Sequence, residues 1–131
     1  MKLKIGVLDY GIGNLSSIKN TLSILGFRSI LSSDYSELKK SDLILLPGVG
    51  AFKPAMLSIK EKGLNNLIYE MVNENVPIIG ICLGMQLLGR SSIENEYTKG
   101  LNLIPEDVYK LEDDSCHIGW NSAKLIKKDN L

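Results

Sequence analysis

The chain has 131 residues, 44% of them hydrophobic, and its 15 Lys plus Arg balance its 15 Asp plus Glu to a formal net charge of zero. That length and apolar content fit a single domain, 1–131, with a real core, and the charge balance argues against a nucleic-acid-binding or anionic-membrane surface. No apolar run approaches the roughly 18–20 residues of a membrane span, and "MKLKIGVLDYG" lacks the h-region and cleavage site of a signal peptide, so a cytoplasmic protein is expected.

Two cysteines, Cys82 and Cys116, do not make a disulfide framework. They lack metal-ligand spacing, and His117 is the only histidine, so no metal is expected.

In chain order, Leu3 to Leu8 is an apolar, β-branched run ended by "DYGIGN", which predicts a buried strand. Leu15, Ile18, Leu22 and Leu25 recur at helical spacing, with Asn14 as N-cap and Gly26 past the C-terminus. Phe27 to Leu31 reads as a second strand, "SELKK" as a short helix, and Leu43 to Leu46 as a third strand stopped by "PGVG". Pro54 to Asn75 reads as two helical pieces divided by Gly63. Pro77 to Ile81 follows as another buried strand, and Gly84 to Leu88 opens a helix. Apolar strands alternating with helices predict an α/β fold with a largely parallel sheet covered on both faces. After Arg90 the texture changes: "SSIENEYTKG" is loop-like, and Leu103 to Leu111 and His117 to Ile126 are expected as late strands on the edge or rim.

Three glycine-bearing joints fall at the C-terminal ends of these strands, where sites in open α/β sheets lie. "GICLG", Gly80 to Gly84, is a G-x-nucleophile-x-G elbow between strand and helix. It would expose the Cys82 sulfur at a helix N-terminus, where the dipole favours thiolate, and aim the Leu83 N–H at an oxyanion. The bland alternative is a small buried cysteine, about as frequent an outcome on this motif alone. "LPGVGAF" has glycines flanking Val49, which frees backbone N–H for a ligand; by itself it is more often an ordinary turn. "DYGIGNL" has Gly11 and Gly13 but Ser16 at the last position of a dinucleotide fingerprint, which argues against NAD or FAD. His117, in "HIGWN", is more often structural than catalytic on a late strand, although triads assemble in space. Trp120 is either core or an interface anchor.

"DYGIGNL", "LPGVGAF", "GICLGMQLL" and "HIGWN", in this order and spacing, resemble the glutamine amidotransferase subunits of imidazole glycerol phosphate synthases, within the class I (triad) amidotransferases. The match covers essentially the whole chain. It implies a flavodoxin-like α/β fold and a glutaminase without a cofactor. Cys82 would be the nucleophile, with Leu83 and Val49 as backbone oxyanion donors. Gly50, Gln86 and Glu94 match positions that hold glutamine, although "GRSSIEN" departs from the usual wording around Glu94. Ammonia would pass to a (β/α)8-barrel cyclase subunit, with Asn14 and Trp120 near that interface. In the resembled family "HIGWN" does not supply the base. A later "HPE" motif does, and this sequence has none, so the domain is expected to be incomplete at its C-terminus and inactive alone.

Other readings remain open on the sequence. They are a paralogue supplying ammonia for surface-sugar amidination, a non-catalytic binding subunit, and a different cysteine-elbow hydrolase using His117.

Overall fold

The computed structural model describes residues 3–111 and 119–126. The first strand, β1 (Lys4–Leu8), leads into α1 (Leu15–Ile24), then β2 (Arg28–Ser32), the single turn α2 (Tyr35–Leu38) and β3 (Leu43–Leu46). Two ten-residue helices follow, α3 (Phe52–Glu61) and α4 (Leu64–Asn73). Then come β4 (Ile78–Gly80) and α5 (Leu83–Leu87). Each boundary has a local cause. Asn14 caps α1 by accepting from the Ser17 N–H, and Gly26 ends it at φ +79°. Asp34 caps α2 by accepting from the Glu37 N–H. Gly63, at φ +67°, breaks the long apolar pattern into α3 and α4.

The four longer strands form one parallel sheet in the order β2-β1-β3-β4. The expected α/β architecture, a parallel sheet flanked by helices, is what the chain builds. Alternation along β1 divides the packing. Ile5 and Val7, with Leu45 of β3, meet Leu15, Ile18 and Leu22 of α1 on one face. Leu8, Ile44 and Leu46 face the larger core, built with Phe52, Met56, Leu67 and Leu83 from α3, α4 and α5.

Cover is uneven between the faces. No α1 residue is fully buried, and Leu25 is exposed rather than part of the packed stripe. Leu25 stands at the C-cap of α1. Among the described residues β4 pairs with β3 alone, and its apolar run is not buried throughout: Ile79 and Ile81 are 44% and 45% exposed. A shallow apolar groove runs beside them, lined by Ile18, Leu22, Leu45 and Ile81.

The region after Arg90 departs most from expectation. "SSIENEYTKG" contains two short strands, β5 (Ser91–Ser92) and β6 (Thr98–Lys99), and the expected strand from Leu103 to Leu111 shrinks to β7 (Asp107–Val108). These make a small second sheet, β6-β5-β7, antiparallel on one side and parallel on the other. The backbone before β7 has a different task. Leu101 and Leu103 donate their N–H groups to the carbonyls of Leu87 and Leu88 at 2.9 and 2.8 Å, capping the end of α5. Residues 119–126 form no strand, and the rest of the expected last strand, His117 included, lies outside the described residues, as does Cys116. Among the described residues, no helix is long and apolar enough to cross a membrane.

Candidate functional site

Because the strands are parallel, the C-terminal ends of β1, β3 and β4 open on one edge of the sheet. The three glycine joints meet there. Gly80 packs on Met85 and Gly84 on the Leu46 carbonyl, each so closely that a Cβ would overlap its neighbour. Only glycine lets β4 turn directly into α5 at this spacing. Between the two glycines Cys82 adopts φ +53°, ψ −116°, a conformation that residues with a Cβ avoid. The backbone is held there by Ile81 N–H to Leu46 O at 3.0 Å and Gly84 N–H to Ile81 O at 2.9 Å. The result is a sharp elbow with Cys82 exposed at its tip and Leu83 buried beneath it. The first N–H groups of a helix have no intrahelical acceptor, so the Leu83 N–H is available beside the sulfur.

The "PGVG" turn lies against this elbow. A Cβ on Gly48 would overlap the Tyr10 hydroxyl and stand 3.2 Å from Leu83 Cβ and 3.3 Å from Gly84 N. A Cβ on Gly13 would stand 3.8 Å from Gly48 Cα, so the "DYGIGN" loop closes the other side. Val49 is exposed beyond this contact, and Gly50 follows at φ +100° with no atom within 4 Å of a Cβ placed there. The turn therefore has one tightly held end and one open end.

Tyr10 is the residue that sequence reasoning missed. It is buried, and its hydroxyl donates to the Pro47 carbonyl at 2.5 Å. Its own carbonyl accepts from the Ser58 hydroxyl of α3. Burial first, and the Cys82 charge second, push the phenol from 10.0 up to about 12. An aromatic in the "DYG" turn, past the end of a strand, was its only signal; no periodicity marks it.

The other residues singled out from sequence divide. Glu94 is half-buried and lines a cavity of about 240 Å³ with Ala51, Phe52, Lys53 and Ser92, next to Gly50 in the chain. Gln86 lines a separate cavity of about 380 Å³ with Met85, Ile104 and Val108. Neither cavity is lined by Cys82, so Gln86 and Glu94 are not gathered into one pocket with it. Asn14 is exposed and occupied as the α1 cap. Trp120 is fully exposed among the described residues. Among the described residues, no three His, Cys, Asp or Glu side chains come together as a possible metal site.

Comparison with known proteins agrees with this arrangement. The family profile "Glutamine amidotransferase class-I" matches residues 6–127. The "Imidazole glycerol phosphate synthase subunit HisH" of Listeria monocytogenes serotype 4b is 43% identical over 129 residues, covering 95% of this chain and 62% of that protein. The protein of the same name from Halalkalibacterium halodurans is 42% identical over 134 residues, covering 96% and 63%. The chain thus spans less than two thirds of the length of these curated relatives. Among solved structures, a crystal structure of a glutamine amidotransferase superposes with TM-score 0.69 at 21% identity, over 80% of this chain and 55% of that one. A putative peptidase E from Listeria monocytogenes EGD-e gives TM-score 0.63 at 17% identity, over 79% and 63%. Both likenesses are of fold. With a family profile spanning nearly all of its length and its cysteine on a strained strand–helix elbow, this chain belongs to the class-I glutamine amidotransferase family.

Proposed function

We propose that this chain carries the nucleophile and oxyanion elements of a glutaminase subunit of imidazole glycerol phosphate synthase, supplying ammonia to a (β/α)8-barrel cyclase partner. The carrying observation is the packing of Gly48 on Leu83 and Gly84, which sets "PGVG" beside the strained backbone of Cys82. The identity to the HisH relatives supports the choice of subfamily.

On this reading the Cys82 thiolate adds to the side-chain amide carbon of glutamine. The carbonyl oxygen takes the negative charge and accepts from the Leu83 and Val49 N–H groups. Collapse of the adduct breaks the C–N bond, and the nitrogen leaves as ammonia after taking a proton from a general acid. Water then cleaves the thioester to glutamate and restores the thiol. Gly50, Gln86 and Glu94 hold the substrate. Asn14 and Trp120 stand on the partner's side.

A general acid–base is typically worth about 10²–10⁴-fold. The histidine that serves in the resembled family belongs to an "HPE" motif absent from this sequence. The test is a glutamate-release assay on the 131-residue polypeptide, alone, with the barrel partner, and with an "HPE" segment supplied. Turnover only when the segment is present, and lost in Cys82→Ala, is the expected result. Turnover by the polypeptide alone that disappears in both Cys82→Ala and His117→Ala would overturn this account and make His117 the base.

A further inference from the structure

We propose that Tyr10 is a positioning residue for the oxyanion turn: its buried hydroxyl, bonded to the Pro47 carbonyl, locks the peptide that precedes Gly48 and so sets the Val49 N–H against the Cys82 elbow. The inference rests on the glutaminase reading of the site and adds a residue to it.

The geometry is a stack of three layers. Ser58 of α3 holds the Tyr10 backbone, the Tyr10 hydroxyl holds Pro47 at 2.5 Å, and Gly48 lies between that hydroxyl and the start of α5. The absence of a side chain at Gly48 is what lets the phenol approach so closely. Fixing the Pro47–Gly48 peptide leaves the next peptide, which carries the Val49 N–H, hinged at one end only. That peptide ends at the exposed Val49, and Gly50 beyond it stands in open space with a left-handed backbone. The phenol therefore bounds how far the donor can swing. Its hydroxyl is committed as a donor to Pro47. Donors to a developing oxyanion must be aimed before reaction, because aiming them during it adds to the barrier.

Two alkylating reagents separate aiming from reactivity. The Cys82 thiolate adds to the carbonyl carbon of the chloromethyl ketone analogue of glutamine, developing an oxyanion, before sulfur bonds to the methylene carbon and chloride leaves. Iodoacetamide alkylates the same sulfur by direct displacement of iodide and develops none. Rates of both are measured on the full 131-residue chain and on Tyr10→Phe, with peptide mapping to Cys82. Loss of one oxyanion donor typically costs about 10²–10³-fold, and a donor misaimed rather than deleted should cost roughly tenfold. The expected result is a chloroketone-to-iodoacetamide ratio reduced about tenfold in Tyr10→Phe, with the iodoacetamide rate kept. Ser58→Ala, which loosens the Tyr10 backbone but keeps the phenol, should lower the ratio less, and decides the matter if Tyr10→Phe does not fold. An unchanged ratio overturns the role of Tyr10 and leaves the glutaminase reading intact. A parallel fall in both rates assigns Tyr10 a purely structural role and also overturns it. A wild-type chain with no preference for the glutamine analogue over a simple thiol overturns the glutaminase reading and this inference with it.

Discussion

Gly84 lies so close to the Leu46 carbonyl oxygen that no side chain fits between them. The end of β3 and the first turn of α5 are thereby in direct backbone contact. Gly84→Ala must force them apart. Overpacking typically costs about 1–3 kcal/mol, and a backbone neighbour gives less than a side chain does. Urea unfolding should place Gly84→Ala below Gly50→Ala, whose new methyl meets nothing and adds only backbone strain. Equal midpoints would mean that the elbow packs more loosely than described.

Cys82 stores strain in the opposite sense, because its Cβ occupies a conformation that glycine adopts freely. Such strain costs on the order of 1–3 kcal/mol. Cys82→Gly should therefore be more stable than Cys82→Ala by about 1 kcal/mol. Both variants remove the thiol, so a comparison of their thermal midpoints isolates the backbone contribution.

Asp107 predicts how the small sheet responds to acid. The Arg90 guanidinium first, and the Ser91 hydroxyl second, hold its carboxyl down at about 2, against 3.8 without them. A carboxyl depressed in the fold stabilises it above the unfolded value, and that contribution disappears as pH falls through the folded value. Asp107→Asn should unfold at a lower temperature than wild type at neutral pH, with the gap closing as pH approaches about 2. A gap that does not vary with pH would assign the effect to packing rather than charge.

Trp120, exposed along with Leu125 and Ile126, touches none of the core. Trp120→Ala should leave chemical denaturation within about 0.5 kcal/mol of wild type. If the segment faces the cyclase partner, the same substitution should weaken that association by about 2 kcal/mol, as buried interface tryptophans do. Calorimetry with the barrel subunit reads the second effect. No change there would place the interface elsewhere.

The central sheet was legible because its signals were redundant. β3 runs over Leu43–Leu46 as its apolar run predicts, and α1 begins at the Asn14 cap. Gly63 divides α3 from α4 where its position in the pattern implies. The elbow was legible as one of two readings, and the exposure of Cys82 decides between them. Side-chain composition could not tell that Ile79 and Ile81 would stand exposed here, because an apolar run looks the same whether one neighbouring strand or two cover it. Nor could it show that Leu101 and Leu103 would spend their N–H groups capping α5 instead of extending a strand. Tyr10 escaped because its role comes from a partner 37 residues away, reached only once β1 and β3 lie side by side.

The strand order has a consequence for how the chain acquires its shape during synthesis. β2 pairs with β1, β3 pairs with the free side of β1, and β4 pairs with β3. In the small sheet, β6 and β7 both pair with β5. Among the described residues, every strand after the first of its sheet finds a partner that has already left the ribosome. Assembly can proceed outward from β1 in the direction of translation, with each parallel pair closed by its own crossover as it emerges. The Cys82 elbow emerges after both Tyr10 and "PGVG", and meets them already in place.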